Sequence, residues 1–403
     1  MKILDRHDYC LSCEHLLAEQ GAIFADTPQQ GRPYTNGQVC KNCGQLLEPL
    51  LEKAAGDKNT FLTALTNPKV KVVAFVAPSV RAGIGECFNL AGDYQFKLVS
   101  ALKQLGCYNV FSMNFGADLT IIEESAELAE RISQNKLPML TSCCPAWVNY
   151  LYKLKPNLVP YLSTCKSPQQ MMGAILNTYY LQASGLSCEQ VFVASIVPCL
   201  AKKVERVRGG INGGKGYDVD ACITTLELAE IIKQQGINFE NLPDSPFDSL
   251  LGEYSGGAAN FGAAGGVSES VACTLLKSEV KFECSTRGDI IEKSFNYNGK
   301  SYTMAQVQGL TSAEPILSDI EAGTCKYCLI EVMACTGGCI GGTGQPKAEA
   351  NGLEKRREVL TTAKNNCKVK HAHQNKIAKQ LYKQFLTPQL ARKLLHEERL
   401  QPK

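Results

Sequence analysis

The sequence places cysteines in three short segments rich in Pro or Gly, a pattern typical of metal binding. The segments are TSCCPAW at 141–147, VPCLAKKVE at 197–205 and EVMACTGGCIGGTGQP at 331–346. Four thiolates suffice to hold a [4Fe-4S] cube, and neighbouring glycines let backbone amides approach sulfur closely. Cys335 and Cys339 would share one face if their segment were helical. Together these segments predict a metal site.

Two further cysteine pairs with C-x2-C spacing stand near the start of the chain. Cys10 and Cys13 form the first pair, and Cys40 and Cys43 follow after 26 residues. Such a set holds either structural zinc or an iron-sulfur cluster, and the spacing does not distinguish them. Two histidines flank the first pair, so a mixed ligand set is a further alternative. The total of 19 cysteines is odd and no secretion signal precedes them, which argues against a disulfide framework.

Acid-base groups stand close to the cysteine segments in the sequence. Glu124, Glu127 and Arg131 lie at helical spacing and would form a ladder along one helix face. A proton relay and a solvated helix face both fit this spacing. Cys143 stands beside Cys144, so one thiol can bind metal while the other points elsewhere and exchanges protons.

The elements that must position these residues alternate between strands and helices. VKVVAFVAPSVRAGIGE combines a β-rich apolar run with a Pro-containing turn and a helix start, and SCEQVFVASIVPC repeats the pattern. Helical stretches such as TIIEESAELAERISQ and TTLELAEIIKQQG stand between and after them. This alternation predicts α/β layers, with ligands bound at the loops that follow the strands.

The sequence divides into three predicted regions. Residues 1–67 form a cysteine-rich module with a helical linker, residues 68–350 form the large domain, and residues 351–403 form a basic helical segment that packs on it. The last region holds 13 Lys and Arg against 4 Glu. It is either a docking face for an acidic protein or an ordinary solvated helical surface.

Composition argues against several classes of protein. The net charge of +3 gives no reason to expect nucleic acid or a membrane surface as the main partner. No apolar run is long enough for a transmembrane helix, and the start MKILDRHDYC has acidic residues where a signal peptide needs an apolar run. We therefore expect a soluble cytoplasmic protein.

The three cysteine segments together resemble the signature segments of [FeFe]-hydrogenases, and the resemblance extends from about Val70 to His396. It is supported by FVAPSVRAGIGE, NFGADLTIIEESAEL, LSTCKSPQQMMGA, ANFGAAGGV and HAHQNKIAKQLYKQFL. The resemblance implies a two-lobed α/β domain with mostly parallel sheets flanked by helices. The small N-terminal cysteine-rich module would precede this domain.

By this resemblance the cofactor is an H-cluster, in which a cubane is linked through one cysteine sulfur to a two-iron subsite. That subsite carries carbon monoxide, cyanide and an azadithiolate bridge. The implied cubane ligands are Cys144, Cys199, Cys335 and Cys339, with Cys339 as the linking thiolate. Cys143 is implied as the unligated thiol that exchanges protons with the bridging amine. Because such a site needs an electron entry, a [4Fe-4S] or [2Fe-2S] cluster is favoured over zinc in the N-terminal module.

The resemblance also implies roles for residues around the cofactor. Ser163 joins the three charged residues above in a proton relay. Lys202 donates to a cyanide, which suits a compact ammonium beside an anionic ligand. Further residues are implied to line or close the cavity, with ordinary core packing as the alternative for the apolar ones. They are Ala77, Pro78, Ser79, Ser167, Gln169, Phe261, Gly262 and Met333.

Several positions depart from the common family pattern. They are Val197 and Ser268 where methionine is usual, Thr336 where proline is usual and Leu226 where arginine is usual. These changes bear on rate and catalytic bias more than on cluster binding. The additional pair Cys325 and Cys328 either holds something near the cluster or fills space in the core.

The expected reaction is the reversible reduction of two protons by two electrons to molecular hydrogen. Electrons would come from a low-potential carrier such as ferredoxin, and maturation proteins would insert the two-iron subsite. One alternative is a hydrogen- or redox-sensing protein with slow turnover. Another is a hydrogenase-like iron-sulfur assembly factor that binds cubanes only. Such factors generally lack the paired cysteines of TSCCP, so Cys143 beside Cys144 favours turnover.

Overall fold

The computed structural model describes residues 56–207, 217–397 and 399. The predicted N-terminal metal site lies outside these residues, so it stays a prediction; its ligands are Cys10, Cys13, Cys40 and Cys43. The division of the chain into three regions likewise stays a prediction.

The described residues form α-helices and strands, numbered here in chain order. The helices are α1 (Asp57–Thr66), α2 (Val80–Gly83), α3 (Gln95–Gln104), α4 (Asn114–Ser133), α5 (Pro145–Leu154), α6 (Pro168–Ile175), α7 (Leu181–Ser184), α8 (Ala201–Val207), α9 (Thr225–Gln234), α10 (Gly256–Ala259), α11 (Gly266–Leu276), α12 (Glu314–Glu321), α13 (Gly352–Asn366), α14 (Lys376–Gln384) and α15 (Pro388–Leu395). The strands are β1 (Lys71–Val76), β2 (Asn109–Ser112), β3 (Met139–Leu140), β4 (Val191–Val197), β5 (Ala221–Thr224), β6 (Glu283–Arg287), β7 (Ile290–Tyr297), β8 (Lys300–Gln308) and β9 (Tyr327–Met333).

The first sheet is entirely parallel, with strand order β2-β1-β4-β5. Its two central strands, β1 and β4, are almost continuously apolar and buried. Such runs are typical of a parallel sheet that helices cover on both faces. Helices α1, α3 and α9 pack against the sheet. Phe75, Val193 and Ile196 are fully buried in the resulting core.

The second sheet is mixed, with strand order β3-β9-β8-β7-β6. Strands β3, β9 and β8 are parallel, whereas β8, β7 and β6 are antiparallel. Asn298 and Gly299 join β7 to β8 with φ angles of 49° and 77°. Two successive residues with positive φ are typical of the tight turn whose twist matches a β-hairpin. Strand β6 is exposed along its length and carries charges, which protects this edge from pairing with another chain.

Helix α4 runs for 20 residues and packs against α6, α10 and α11. Its buried positions recur along the helix because it is covered on more than one side. Helices α14 and α15 also pack on α4, burying Leu381, Leu394 and Leu395. The acidic ladder predicted from the sequence therefore lies on a helix inside the protein.

The prediction of the fold class is confirmed. Five of the seven strand pairings in the described residues are parallel, and helices flank both sheets. Within the described part of the chain, no helix is both long and apolar enough to cross a membrane.

Candidate active site

A cavity lies where the carboxyl ends of parallel strands from both sheets meet. Residues directly after β1, β2 and β4 line one side of it, and residues after β3 and β9 line the other. Ligand sites are common at this edge of parallel sheets because the loops there are free to vary. The sequence prediction of a site in the loops after the strands is thus matched by the geometry.

The cavity brings together the five cysteines that were predicted to act there. Cys143, Cys144, Cys199, Cys335 and Cys339 all line it, although they come from three distant segments. Cys144 occupies the N-cap position of α5, and Cys199 stands two residues before α8. The positive end of a helix dipole favours thiolate over thiol, so both positions suit metal ligands.

The third cysteine segment is not helical between its two cysteines, which corrects the expectation of a shared helix face. Gly337 and Gly338 have φ angles of 80° and 86°, and a short 3-10 turn begins at Cys339. A Cβ on Gly338 would lie 2.7 Å from the amide nitrogen of Ala264. Glycine is therefore required here both by the backbone conformation and by the close approach. The chain reversal brings both cysteines to the cavity.

Lys202 projects its ammonium into a polar corner of the cavity. Its Nζ is 3.0 Å from the carbonyl oxygen of Cys143 and 3.0 Å from Oε2 of Glu205. Glu205 also accepts hydrogen bonds from Ser167 Oγ at 2.9 Å and Gln169 Nε2 at 3.0 Å. Burial opposes a charged lysine, but the charge and hydrogen bond of Glu205, together with the nearby Cys199 and Cys143, outweigh it and raise the pKa of Lys202. The ammonium is thus charged and fixed in direction.

Most of the other residues predicted to surround the cofactor line the same cavity. They are Ala77, Pro78, Ser79, Gln169, Phe261, Gly262 and Met333. Ser167 does not line the cavity, but its hydroxyl donates a hydrogen bond to Glu205. A Cβ on Gly262 would lie too close to Ser79 Oγ, so a larger residue there would force the Ser79 hydroxyl to rotate. Apart from the cysteines, Lys202 and the two polar side chains, the lining is apolar.

The residues present fit an iron-sulfur cofactor. Four cysteines beside one cavity supply the thiolates that a cubane needs. Ser79 Oγ lines the cavity and has no hydrogen-bond partner among the described residues, although it is buried. A buried hydroxyl without a partner is costly, and a polar ligand in the cavity would satisfy it. Lys202 offers a further donor to an anionic ligand.

The predicted relay residues lie together behind Cys143. Ser163 Oγ donates to Glu127 Oε2 at 2.9 Å, and Arg131 donates to Glu127 Oε1 at 2.7 Å and 2.9 Å. The amide of Thr164 also donates to Glu127, at 3.0 Å. Burial alone would favour protonation of Glu127, but Arg131 and these donors lower its pKa below the ordinary value. Glu127 is therefore a carboxylate at neutral pH.

Glu124 differs from Glu127 although it stands one helical turn away. It is fully buried, and its two carboxyl oxygens have no hydrogen-bond partner among the described residues. Burial, with the negative charge of Glu127 nearby, raises the pKa of Glu124 to about 8. Burial also raises the pKa of Cys143 well above its usual value, and Glu124 adds to that effect. Both inner groups thus carry a proton at neutral pH, which excludes a solvated helix face at Glu124.

A surface cleft of about 740 Å³ reaches the outer end of this row of residues. Glu127, Arg131, Thr164 and Arg392 are among the residues that line it. The side chain of Glu127 is 11% exposed, whereas Glu124 is 0% exposed. The outer residue of this row, Glu127, therefore reaches water, whereas Glu124 and Cys143 are buried.

Sequence reasoning missed several residues of the site. Met113, Ala117, Pro145, Pro168 and Pro198 also line the cavity. Met113 directly follows β2, so the rule that ligands lie after parallel strands could have found it. The others carry no chemical signal of their own. Proline and alanine at these positions were ordinary core candidates.

The departures from the family pattern lie at different distances from the cavity. Val197 lines it, whereas Ser268 does not: the amide of Ser268 donates to Glu331 at 2.8 Å. Thr336 is exposed and Leu226 is partly buried. Cys325 and Cys328 also lie outside the cavity lining, in different hydrophobic clusters on the second sheet. Val197 is therefore the departure with a direct effect on cavity shape.

The sequence of residues 70–343 matches the family described as "Iron only hydrogenase large subunit, C-terminal domain". The chain belongs to this family. Its resemblance to [FeFe]-hydrogenases, predicted from the cysteine segments, is thereby confirmed. Membership of the iron-only hydrogenase family implies an iron-sulfur cofactor, in agreement with the cysteine set of the cavity.

Proteins named as hydrogenases are among the relatives of this chain. The chain is 38% identical over 383 residues to the NADP-reducing hydrogenase subunit HndD of Solidesulfovibrio fructosivorans, covering 89% of this chain and 65% of that protein. It is 38% identical over 354 residues to iron hydrogenase 1 of Clostridium pasteurianum, covering 83% of this chain and 61% of that protein. The chain thus spans less than two thirds of the length of these relatives.

A third relative has a different name. The chain is 31% identical over 403 residues to Protein NAR1 of Arabidopsis thaliana, covering 89% of this chain and 84% of that protein. Among solved structures, a variant of the [FeFe]-hydrogenase HydA1 from Chlamydomonas reinhardtii matches with a TM-score of 0.75 and 30% identity. That match covers 85% of this chain and 98% of the other. The iron-only hydrogenase fold is therefore shown, while catalysis depends on the site.

Proposed function

We propose that this protein is an [FeFe]-hydrogenase that interconverts two protons and two electrons with molecular hydrogen. The observation that carries the proposal is the position of Cys143. Its side chain lines the cavity beside the four proposed cubane ligands, and Glu124, which acts electrostatically on Cys143, stands one helical turn from Glu127 at a surface cleft. A protein that only stored or transferred a cubane would not need a proton path to the same cavity.

The chain's own residues divide the work between holding the cofactor and moving protons. Cys144, Cys199, Cys335 and Cys339 would hold the cubane, with Cys339 as the link to the two-iron subsite. Lys202 would donate to an anionic ligand of that subsite. When bound, the H-cluster supplies the redox chemistry, while the side chains around it supply binding, orientation and protons.

The proton path begins at Cys143 and ends at the cleft. Cys143 holds a proton beside the cavity and is resupplied through Glu124, which is protonated at neutral pH. Ser163 donates to Glu127, and its hydroxyl can accept and donate in turn, so it would pass protons from Glu127 towards Glu124. Arg131 keeps Glu127 ionised, so this carboxylate can accept a proton from water in the cleft.

Partners and cell compartment follow from the same proposal. A low-potential carrier such as ferredoxin would supply electrons through a [4Fe-4S] or [2Fe-2S] cluster in the N-terminal module, with zinc as the alternative there. Maturation proteins would insert the two-iron subsite. The protein would act in the cytoplasm. Relatives named as cytosolic iron-sulfur assembly proteins are consistent with this location.

A second candidate function is iron-sulfur assembly. The similarity to Protein NAR1, which extends over 84% of that protein, favours it. An assembly factor would bind the cubane and would not need Cys143 to exchange protons. A sensor with slow turnover is the remaining alternative, and the smaller Val197 in the cavity wall favours it.

The deciding experiment is hydrogen evolution with a reduced viologen. The protein would be reconstituted anaerobically with iron-sulfur and a synthetic two-iron subsite, and its infrared spectrum recorded. We expect turnover together with cyanide and carbonyl bands. Bands with almost no turnover would indicate the sensor, and absence of bands after competent insertion would indicate the assembly factor.

A further inference from the structure

A second group of potential metal ligands lies at the outer end of the proton path, away from the cofactor cavity. Glu127, Cys165 and His396 each present one ligand atom, and the three atoms lie within 4.8 Å of one another. Cys165 Sγ is 3.7 Å from Glu127 Oε2 and 3.9 Å from His396 Nδ1. The three residues come from helix α4, the loop before α6 and the chain after α15.

These distances are close to those of a tetrahedral zinc site. Zinc binds sulfur at about 2.3 Å and nitrogen or oxygen at about 2.0–2.1 Å. At a tetrahedral angle, a sulfur ligand therefore lies roughly 3.6 Å from a nitrogen or oxygen ligand. The two separations that involve sulfur exceed this value by a few tenths of an ångström. The ligand atoms of Glu127 and His396 lie within 4.8 Å of each other, against roughly 3.4 Å in a tetrahedral site, so the side chains must move closer to bind the ion.

The histidine is oriented as a metal ligand would be. His396 Nε2 lies 3.0 Å from Glu123 Oε2, and the carboxylate can only accept, so Nε2 is assigned the hydrogen. Nδ1 then presents its lone pair to Cys165 and Glu127. Histidine ligands usually donate their other ring N–H to a carboxylate in this manner, which fixes the ring and raises its basicity.

Backbone hydrogen bonds hold two of the three ligands in register. The amide of Glu397 donates to Thr164 O at 2.8 Å, and the amide of Lys166 donates to Leu395 O at 2.8 Å. Cys165 and His396 pair in an antiparallel bridge between these bonds. The positions of these ligands are thus set by the fold, which reduces the entropy cost of binding an ion.

We propose that Glu127, Cys165 and His396 form a zinc site at the outer end of the proton path. On binding, the Zn–S bond forms as the Cys165 thiol releases its proton to solvent. One thiolate and one carboxylate then neutralise the two charges of the ion. Glu127 also lines the surface cleft, from which water can supply a fourth ligand. The mixture of sulfur and imidazole donors selects zinc over magnesium or calcium.

Several neighbouring groups compete with the ion for Glu127. Arg131 pairs with its Oε1 at 2.7 Å, and the amide of Thr164 donates to its Oε2 at 3.0 Å. The hydroxyl of Thr164 lies 2.8 Å from His396 Nδ1 and 3.2 Å from Glu127 Oε2, and it rotates away about χ1. The guanidinium of Arg392 lies 3.3 Å from Nδ1 and repels a cation. Because the Arg392 side chain is exposed, it can swing into solvent. Its removal is expected to tighten zinc binding.

Zinc at this site would interrupt the relay, a consequence that rests on the proposed function. The ion takes Glu127 Oε2, which is the atom that accepts the hydrogen bond of Ser163. Glu127 then neither receives a proton from the cleft nor passes one inward. Zinc would act as an inhibitor of proton delivery while leaving the cofactor cavity untouched.

The test compares zinc binding by the full-length, cluster-containing protein and its variants. Each is equilibrated anaerobically with Zn²⁺ buffered by a chromogenic chelator, and bound zinc is counted by elemental analysis. Cys165→Ala and His396→Gln should each bind one equivalent less than the unaltered chain, whereas the control Cys284→Ala, an exposed thiol elsewhere, should bind the same amount. Arg392→Gln should bind about five-fold more tightly. Zinc held at other cysteines cancels in these differences.

Equal zinc counts in the unaltered chain, Cys165→Ala and His396→Gln would overturn the proposal. So would an unchanged affinity in Arg392→Gln together with an unchanged count in both ligand variants. Hydrogen evolution measured on the same samples separates the two proposals. Loss of one equivalent without any inhibition by zinc would retain the metal site but contradict its link to the relay, whereas absence of turnover without zinc would contradict the hydrogenase proposal alone.

Discussion

The cofactor cavity and the proton path meet at Cys143, yet their polar groups differ in hydrogen bonding. In the cavity, Lys202 is fixed by Glu205, which in turn is held by Ser167 and Gln169. In the path, the oxygens of Glu124 have no hydrogen-bond partner among the described residues. The polar groups of the cavity fix side chains in one position, whereas the proton path contains a carboxyl group that can gain or lose a proton.

The difference follows from what each region must do. A site that orients a cofactor needs side chains with one protonation state and one geometry. A relay needs groups whose pKa lies near the working pH and whose lone pairs are available. The pKa of Glu124, raised to about 8 by burial, meets the second requirement, whereas the charged Lys202 meets the first. Four experiments test this contrast.

The largest effect is expected at the point where the two regions meet. Cys143→Ala should lower hydrogen evolution by about 10²–10⁴-fold, because a positioned acid-base group typically contributes this much. The infrared bands of the reconstituted cofactor should remain, since Cys143 is not among the four proposed cubane ligands. The matched control is Cys328→Ala, a buried thiol of the same hydrophobic cluster that does not line the cavity. Unchanged turnover in Cys143→Ala would show that protons reach the cavity by another route.

The rigidity of the cavity is tested by breaking its buried ion pair. Lys202→Gln leaves Glu205 buried without its cation and should lower the free energy of unfolding by about 3–5 kcal/mol. Lys155→Gln removes a partly exposed partner of Glu321 at the surface and should lower the free energy of unfolding much less. Anaerobic chemical denaturation of the two variants provides the measurement. Similar losses in both would mean that the cavity network is no more rigid than the surface.

The changeable state of Glu124 is tested by the pH dependence of stability. Its pKa is about 8 in the folded protein against an ordinary value of 4.5, so the folded state retains a proton that the unfolded state has lost. Stability is then full below pH 4.5 and falls as pH rises towards 8, by up to about 1.4 kcal/mol per pH unit. Glu124→Gln keeps the neutral shape and should flatten this slope. If the free energy of unfolding changed equally with pH in the two proteins from pH 5 to pH 8, the assignment would be refuted.

The smallest effect is expected at the middle of the path. Ser163→Ala removes one hydroxyl hydrogen bond to Glu127, worth about 1 kcal/mol, and should slow turnover roughly five-fold. Water can partly replace a single hydroxyl, which is why the loss is smaller than at Cys143. Steady-state rates and the solvent isotope effect provide the measurement. A loss as large as that of Cys143→Ala would mean that Ser163 has no substitute in the path.

Much of the fold could be predicted from local sequence. The apolar runs around Phe75 and Ile196 predicted buried strands in α/β layers, since such runs fit strands covered on both faces. The helical spacing of Glu124, Glu127 and Arg131 predicted α4. The backbone between Cys335 and Cys339 was not predicted, because two glycines with positive φ replace the expected helical turn.

The sequence by itself determined the strand-helix alternation, the cysteine segments and the family to which they belong, because each rests on residue types at fixed spacing. Only the tertiary structure decided which acid-base groups have a shifted pKa and in which direction. Glu124 and Glu127 stand three residues apart, yet full burial raises the pKa of the first and Arg131 with Ser163 and Thr164 lowers that of the second. The approach of His396 to Cys165 joins positions 231 residues apart. Burial and long-range contacts determine whether these side chains are charged, and neither can be predicted from local sequence.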